Sequence, residues 1–162
     1  MKITFIQTGG TIDKDYPKIT KGYAFEIAEP AVTRILEKLS PSFAYEVLSI
    51  LKKDSLDITG EDRRKILHTC KKVNSRKIII THGTDTMLET AKVLSEIKDK
   101  TIVITGAMRP ERFSNSDAPI NPGLAICAVQ TLESGVFIAM HGLVLRWDQC
   151  MRDLKTGQFV EA

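Results

Sequence analysis

Apolar positions along this chain of 162 residues alternate between two spacings. Short apolar runs of strand length recur at residues 3–7, 45–51, 77–81, 101–104 and 136–140. Between them the apolar residues step at helical intervals: Val32, Ile35, Leu36 and Leu39; Ile66 and Leu67; Met87, Ala91, Val93, Leu94 and Ile97; Leu124, Ile126, Ala128 and Val129. Pro30 suits a first helical turn, and Ser40-Pro41 ends that helix. Thr59 is a good N-cap, with Glu61 and Asp62 placed to suit the helix dipole. Asp62 stands where a capping box carries Glu or Gln, so the box is expected to be imperfect. Residues 13–25 form a polar loop with Pro17 and Gly22, and residues 143–152 are irregular. Five strands alternating with four helices predict an α/β fold: a three-layer α/β/α arrangement around a mostly parallel sheet with right-handed crossovers.

The polar residues gather where the apolar runs stop. The first run leads into Thr8-Gly9-Gly10-Thr11-Ile12, the second into Asp54-Ser55-Leu56-Asp57. The third leads into His82-Gly83-Thr84-Asp85-Thr86-Met87, and the fourth into Thr105-Gly106-Ala107-Met108-Arg109-Pro110. Open α/β sheets bind ligands at the carboxyl ends of their strands, where helix amino termini favour anions. Each piece alone has a plainer reading. Gly9-Gly10 makes a tight turn, Thr84 and Asp85 cap a helix, and His82 is structural. Four polar loops from five strand ends are more than capping explains.

Threonine becomes a nucleophile when a neighbour takes its proton and N–H groups hold the oxyanion. Thr11 and Thr84 are the two candidates. Asp85 suits a substrate ammonium, and Ser55 with the helix termini suits a carboxylate. A substrate carrying both is an α-amino acid. The loop over residues 13–25 is placed to act as a lid, and its aromatics Tyr23 and Phe25 read first as packing.

Composition narrows the classes. The chain is 43% hydrophobic and 27% charged, with a net charge of +3 spread along its length. That charge is too weak and scattered for a nucleic-acid partner. No apolar run reaches membrane-spanning length, and the amino terminus lacks a signal-peptide layout. Cys70, Cys127 and Cys150 read as reduced cytoplasmic thiols. His68, His82 and His141 lack metal-ligand spacing, and neither a Walker pattern nor a dinucleotide glycine loop is present, so no cofactor is expected.

Thr8-Gly9-Gly10-Thr11-Ile12 and Ile80-Thr81-His82-Gly83-Thr84-Asp85-Thr86-Met87 resemble the two signature motifs of the bacterial-type L-asparaginases. Gly106-Ala107-Met108-Arg109-Pro110, with Asp117 and Asn121 beyond it, resembles a third stretch of that family. The resemblance covers the family's amino-terminal domain and implies flavodoxin-like winding. It implies hydrolysis of the side-chain amide of L-asparagine or a related small amide, with Thr11 as the nucleophile that forms an acyl-enzyme and Thr84 as the second catalytic threonine. Asp85 would bind the α-amino group and Ser55 the α-carboxylate. The backbone at Gly10 and Ala107 would contact the substrate. Tyr23 is the match for the lid tyrosine, with Phe25 its rival.

Two departures stand out. Where the family has a lysine paired with the second threonine and its aspartate, this chain has Arg152, with Lys155 three residues later. Arginine keeps its proton and cannot serve as a base. The family's carboxy-terminal domain, which completes a neighbouring subunit's site, has no counterpart in residues 1–162. These departures favour weakened chemistry, and an inactive relative that binds an amino acid or a protein is the alternative. The resemblance also implies a homodimer or homotetramer, with Trp147, Phe159 and Val160 as candidate contacts.

Overall fold

The structure is a computed structural model that describes residues 1–18 and 24–162. Its main sheet is built from β1 (Lys2–Gly9), β2 (Ala44–Lys53), β3 (Lys77–Thr81), β4 (Thr101–Thr105), β5 (Gly135–Met140) and β6 (Leu143–Arg146). The strand order is β2-β1-β3-β4-β5-β6. The first five are parallel and β6 runs antiparallel beside β5. This is the flavodoxin-like winding that the resemblance implies. Helices α1 (Ala31–Leu39), α2 (Gly60–Lys72), α3 (Met87–Leu94) and α4 (Ile120–Thr131) cover the two faces.

The parallel register explains why the strands read as apolar runs. Phe5, Ile79, Val103 and Phe137 stand in register, as do Ile6, Ile80, Ile104 and Ile138. Alternate residues point to opposite faces, so the first row meets α1 and α4 through Val32, Leu36, Ala125 and Val129. The second row meets α2 and α3 through Ile66, Cys70, Met87, Ala91 and Leu94. Both faces of β1, β3 and β4 are buried, so apolar residues fill their central positions. Each fully buried isoleucine contributes roughly 1.5–3 kcal/mol. The enclosed Cys70 thiol is pushed by burial up to about 12 and is inert.

Two expectations are corrected. The capping box of α2 is complete. Thr59 Oγ1 accepts from Asp62 N–H at 3.2 Å, and Asp62 Oδ2 accepts from Thr59 N–H at 2.8 Å. The shorter aspartate reaches because its Oδ2 also takes Lys53 Nζ at 2.7 Å, which anchors it from β2. The irregular tail is also ordered structure. After β6 and the turn Trp147–Gln149, β7 (Cys150–Arg152) and β8 (Phe159–Glu161) form an antiparallel hairpin. Cys150 and Phe159 bury into the α2/α3-side core, with Trp147 packed against it. Phe159 is therefore core, not a contact between protomers. Among the described residues no helix is long and apolar enough to cross a membrane.

Candidate active site

The carboxyl ends of β1, β2 and β3 converge because glycines let their loops touch. Gly9 and Gly10 hold φ values of 118° and 88°, which side chains rarely adopt. Gly10 N–H donates to Lys53 O at 3.0 Å. A Cβ on Gly10 would lie 2.4 Å from Gly83 N, and one on Gly83 would lie 2.6 Å from Ser55 Cβ. A Cβ on Gly106 would lie 2.4 Å from His82 O. The Thr11, Ser55, Thr84 and Ala107 loops are thus in direct succession around one spot. β1 and β3 are adjacent inner strands, as their threonine turns require.

Thr11 opens a 3₁₀ turn, Thr11–Asp13, and is half-buried. Among the described residues its hydroxyl has no partner, which leaves it available to a ligand. Ser55 is buried at the start of the turn Ser55–Asp57. Its Oγ accepts Asp85 N–H at 3.1 Å, and its carbonyl accepts Thr86 Oγ1–H at 2.7 Å. These bonds settle the capping question. Thr86 is the N-cap of α3 and makes no side-chain cap bond. Neither Thr84 nor Asp85 is the cap residue of α3.

Asp85 is half-exposed, and Arg152 Nη1 lies 2.6 Å from its Oδ1. The guanidinium is fixed from behind: its Nε donates to Gly157 O at 3.1 Å, and its carbon stands 5.8 Å from the Phe159 ring centre. The β7–β8 hairpin is thereby the device that carries Arg152 to the site. Lys155 is exposed at the hairpin's turn and makes no ion pair with Asp85. Of the two candidates for the lysine's place, the structure brings in Arg152.

The Ala107 loop is held by two residues to which the sequence alone assigns no role. Asp117 accepts Met108 N–H at 3.0 Å and Arg109 N–H at 3.1 Å. Asn121 Nδ2 donates to Gly106 O at 3.0 Å and Asp117 Oδ2 at 2.8 Å. Ala107 itself is buried. Tyr23 lies outside the described residues. Phe25 packs on Tyr16 and Phe113, with ring centres 5.0 Å and 5.7 Å away, which is the packing role expected of it.

His82 is structural. Its Nδ1–H faces Gly83 O at 2.7 Å, and a carbonyl can only accept, so that nitrogen carries the proton. Nε2 then accepts from Thr90 Oγ1 at 2.8 Å, and Arg63 Nε donates to the same Oγ1 at 3.2 Å. Burial pushes the imidazole down to about 4, so it is neutral near pH 7. A surface cleft of about 540 Å³ lies among Arg76, Lys77, Asp99 and Glu133, at the strands' opposite ends, and includes none of the motif residues.

A flavodoxin-wound α/β domain with threonines, serine and aspartate meeting at its strand ends is the class defined here. The chain belongs to the asparaginase family: the family model described as "Asparaginase, N-terminal" matches residues 2–153. It is 32% identical over 155 residues to L-asparaginase 2 of Escherichia coli, covering 88% of this chain and 44% of that protein. It is 35% identical over 156 residues to a glutamyl-tRNA(Gln) amidotransferase component of Pyrococcus horikoshii, covering 86% of this chain and 33% of that one. The solved thermostable L-asparaginase of Thermococcus kodakarensis superposes with a TM-score of 0.84 at 26% identity, covering 99% of this chain and 51% of the other. The chain spans about half the length, or less, of the relatives it matches.

Proposed function

We propose that this chain is an amidohydrolase that releases ammonia from the side-chain amide of L-asparagine. The convergence of Thr11, Ser55, Thr84 and Asp85 through the glycine contacts carries this reading. Thr11 Oγ1 attacks the amide carbonyl and forms an ester with the acyl group. Ammonia leaves with the proton lost by the hydroxyl, and water then cleaves the ester to aspartate. Asp117 already uses the Met108 and Arg109 N–H groups and Lys53 O takes that of Gly10, so the Ala107 and Thr11 N–H groups are the oxyanion donors of this mechanism.

Asp85 Oδ1 is taken by Arg152, and Oδ2 is the oxygen offered to the substrate ammonium. Ser55 receives the α-carboxylate through its O–H, its oxygen being held in place by the Asp85 N–H. Thr84 handles protons beside Asp85. Tyr23 serves as the lid hydroxyl of this mechanism. Arg152 supplies a fixed positive charge, since a guanidinium does not lose its proton.

The same arginine favours a second reading, a site that binds amino acids and turns them over slowly or not at all. The relative named as part of an amidotransferase adds a further variant, in which ammonia passes to a partner instead of to solvent. Unpaired cysteines, with Cys127 on the surface, support a reducing, cytoplasmic setting. Leu56, Met108 and Phe113 leave apolar surface exposed on the site loops, which supports a homodimer or homotetramer that covers them. Sedimentation at high concentration tests that part, and a clean monomer contradicts it.

Calorimetry with asparagine and aspartate tests the site. Millimolar or tighter binding to the parent, abolished by Asp85→Ala, supports it. No binding to the parent at millimolar concentration refutes the small-amide reading.

A further inference from the structure

Asp13 follows Thr11 by two residues and is only 1% exposed. Its N–H donates to Gly10 O at 3.2 Å, and its carbonyl accepts Ala28 N–H at 2.9 Å. Its Oδ1 accepts the N–H of Ala31, the first residue of α1, at 2.8 Å. One residue thus joins the Thr11 turn to the segment entering α1 and to the helix itself. Its Oδ2 has no partner, and Thr81 Oγ1 is the other such buried oxygen among the described residues.

Gln7 lies beside the Asp13 carboxyl, where its amide favours the ionised form, and is also engaged elsewhere. Its Nε2 donates to Ala28 O at 2.8 Å, and its Oε1 accepts the Ser49 hydroxyl at 2.6 Å. Gln7 and Thr81 are register partners on β1 and β3, so both unpartnered oxygens belong to one buried polar layer under the Thr11 turn. The charges facing Asp13 are Arg34 on α1 and Lys52 on β2. Each is already paired, Arg34 with Glu111 and Lys52 with Glu29, both at 2.7 Å. Both charges and the Ala31 N–H favour the carboxylate, but burial outweighs them together. An oxygen without a partner is tolerated better in a neutral acid than in a carboxylate.

We propose that Asp13 is a proton-coupled positioning residue: as a neutral acid it staples the Thr11 turn to Ala28 and α1, and its ionisation opens that staple. Burial pushes the enclosed carboxyl from 3.8 up to about 7, while an opened, hydrated one ionises as an ordinary aspartate. The open form therefore gains on the closed form by about tenfold per pH unit between these values and levels off above the higher one.

Residue-resolved amide hydrogen exchange of Ala28 and Ala31 on the 162-residue chain reads the staple directly. It needs no substrate, so its outcome is independent of the amidohydrolase reading. After correction for intrinsic exchange, protection of both amides in the parent should fall by at least about a hundredfold between pH 4.5 and pH 7. Asp13→Asn keeps an oxygen for Ala31 N–H and cannot ionise, so its protection should stay level. A parent without the fall, or an Asn variant that keeps it, overturns the proposal. Should Asp13→Asn not fold, carboxyl carbon titration of the parent decides: an Asp13 midpoint near pH 7 supports the staple and one below pH 5 overturns it.

Discussion

Arg152 Nη1 sits 2.6 Å from Asp85 Oδ1, across a sequence separation of 67 residues. The contact exists because Phe159 buries in the core and holds the β7–β8 hairpin over the start of α3. It joins the motif aspartate to the one motif position whose chemistry departs from the family resemblance. A guanidinium there fixes charge, whereas an amine could also move a proton.

Arg152→Lys is therefore expected to raise turnover, because general-base assistance is typically worth about 10²–10⁴-fold. Asparagine affinity should change little, since the charge beside Asp85 is kept. Loss of the bond to Gly157 O should lower stability by about 1 kcal/mol. Steady-state ammonia release and calorimetry on the same samples separate these effects. Equal or slower turnover would mean that catalysis does not call for a proton-transferring amine at this position.

Two glycine substitutions should move stability in opposite directions. Gly83→Ala drives a Cβ to 2.6 Å from Ser55 Cβ and 2.8 Å from its Oγ, so Ser55 must shift and its bond to Asp85 N–H is lost. Thermal melting should show a loss of about 1–3 kcal/mol, with weakened substrate binding. Gly123→Ala on α4 meets nothing within 4 Å and should stabilise by about 0.5–1 kcal/mol. A neutral Gly83→Ala would mean that the loops are not in the contact described.

The stability profile with pH holds two opposed slopes. His82 is held down at about 4 in the folded chain against 6.5 unfolded, so it contributes stability above 6.5 that is lost as pH falls toward 4. Asp13 is held up at about 7 against 3.8, so its contribution is present below 3.8 and is lost as pH rises toward 7. Each effect is about 3–4 kcal/mol, and they offset over most of the shared window. Denaturant melts of Asp13→Asn between pH 4 and 6.5 should show stability rising with pH. His82→Gln should show it falling. Flat profiles in both variants would contradict the assigned burial of these two groups.

The sheet was legible in the sequence because both faces of its inner strands are buried, which leaves short apolar runs at the centres of β1, β3 and β4. The strand-end motifs were legible because glycine is required wherever loops approach within a Cβ's reach. β6 and the hairpin were not. Their strands are three or four residues long and half-exposed, too short to show a period. The roles of Asp13 and Asp117 were hidden for another reason. Their partners, Ala31 N–H and the Met108 and Arg109 N–H groups, are backbone atoms, and no residue type marks a backbone donor.

Ammonia release from L-asparagine by the parent and by Thr11→Ala, at matched concentration and with binding verified, tests the central claim that Thr11 is the nucleophile. The turn that carries Thr11 touches the Gly83 loop, which in turn touches Ser55. Thr11→Ala should still bind aspartate and should lose turnover by at least about 10³-fold, since removing a nucleophile costs more than the 10²–10⁴ of proton assistance at its lower end. A Thr11→Ala variant that releases ammonia as fast as the parent would contradict the account.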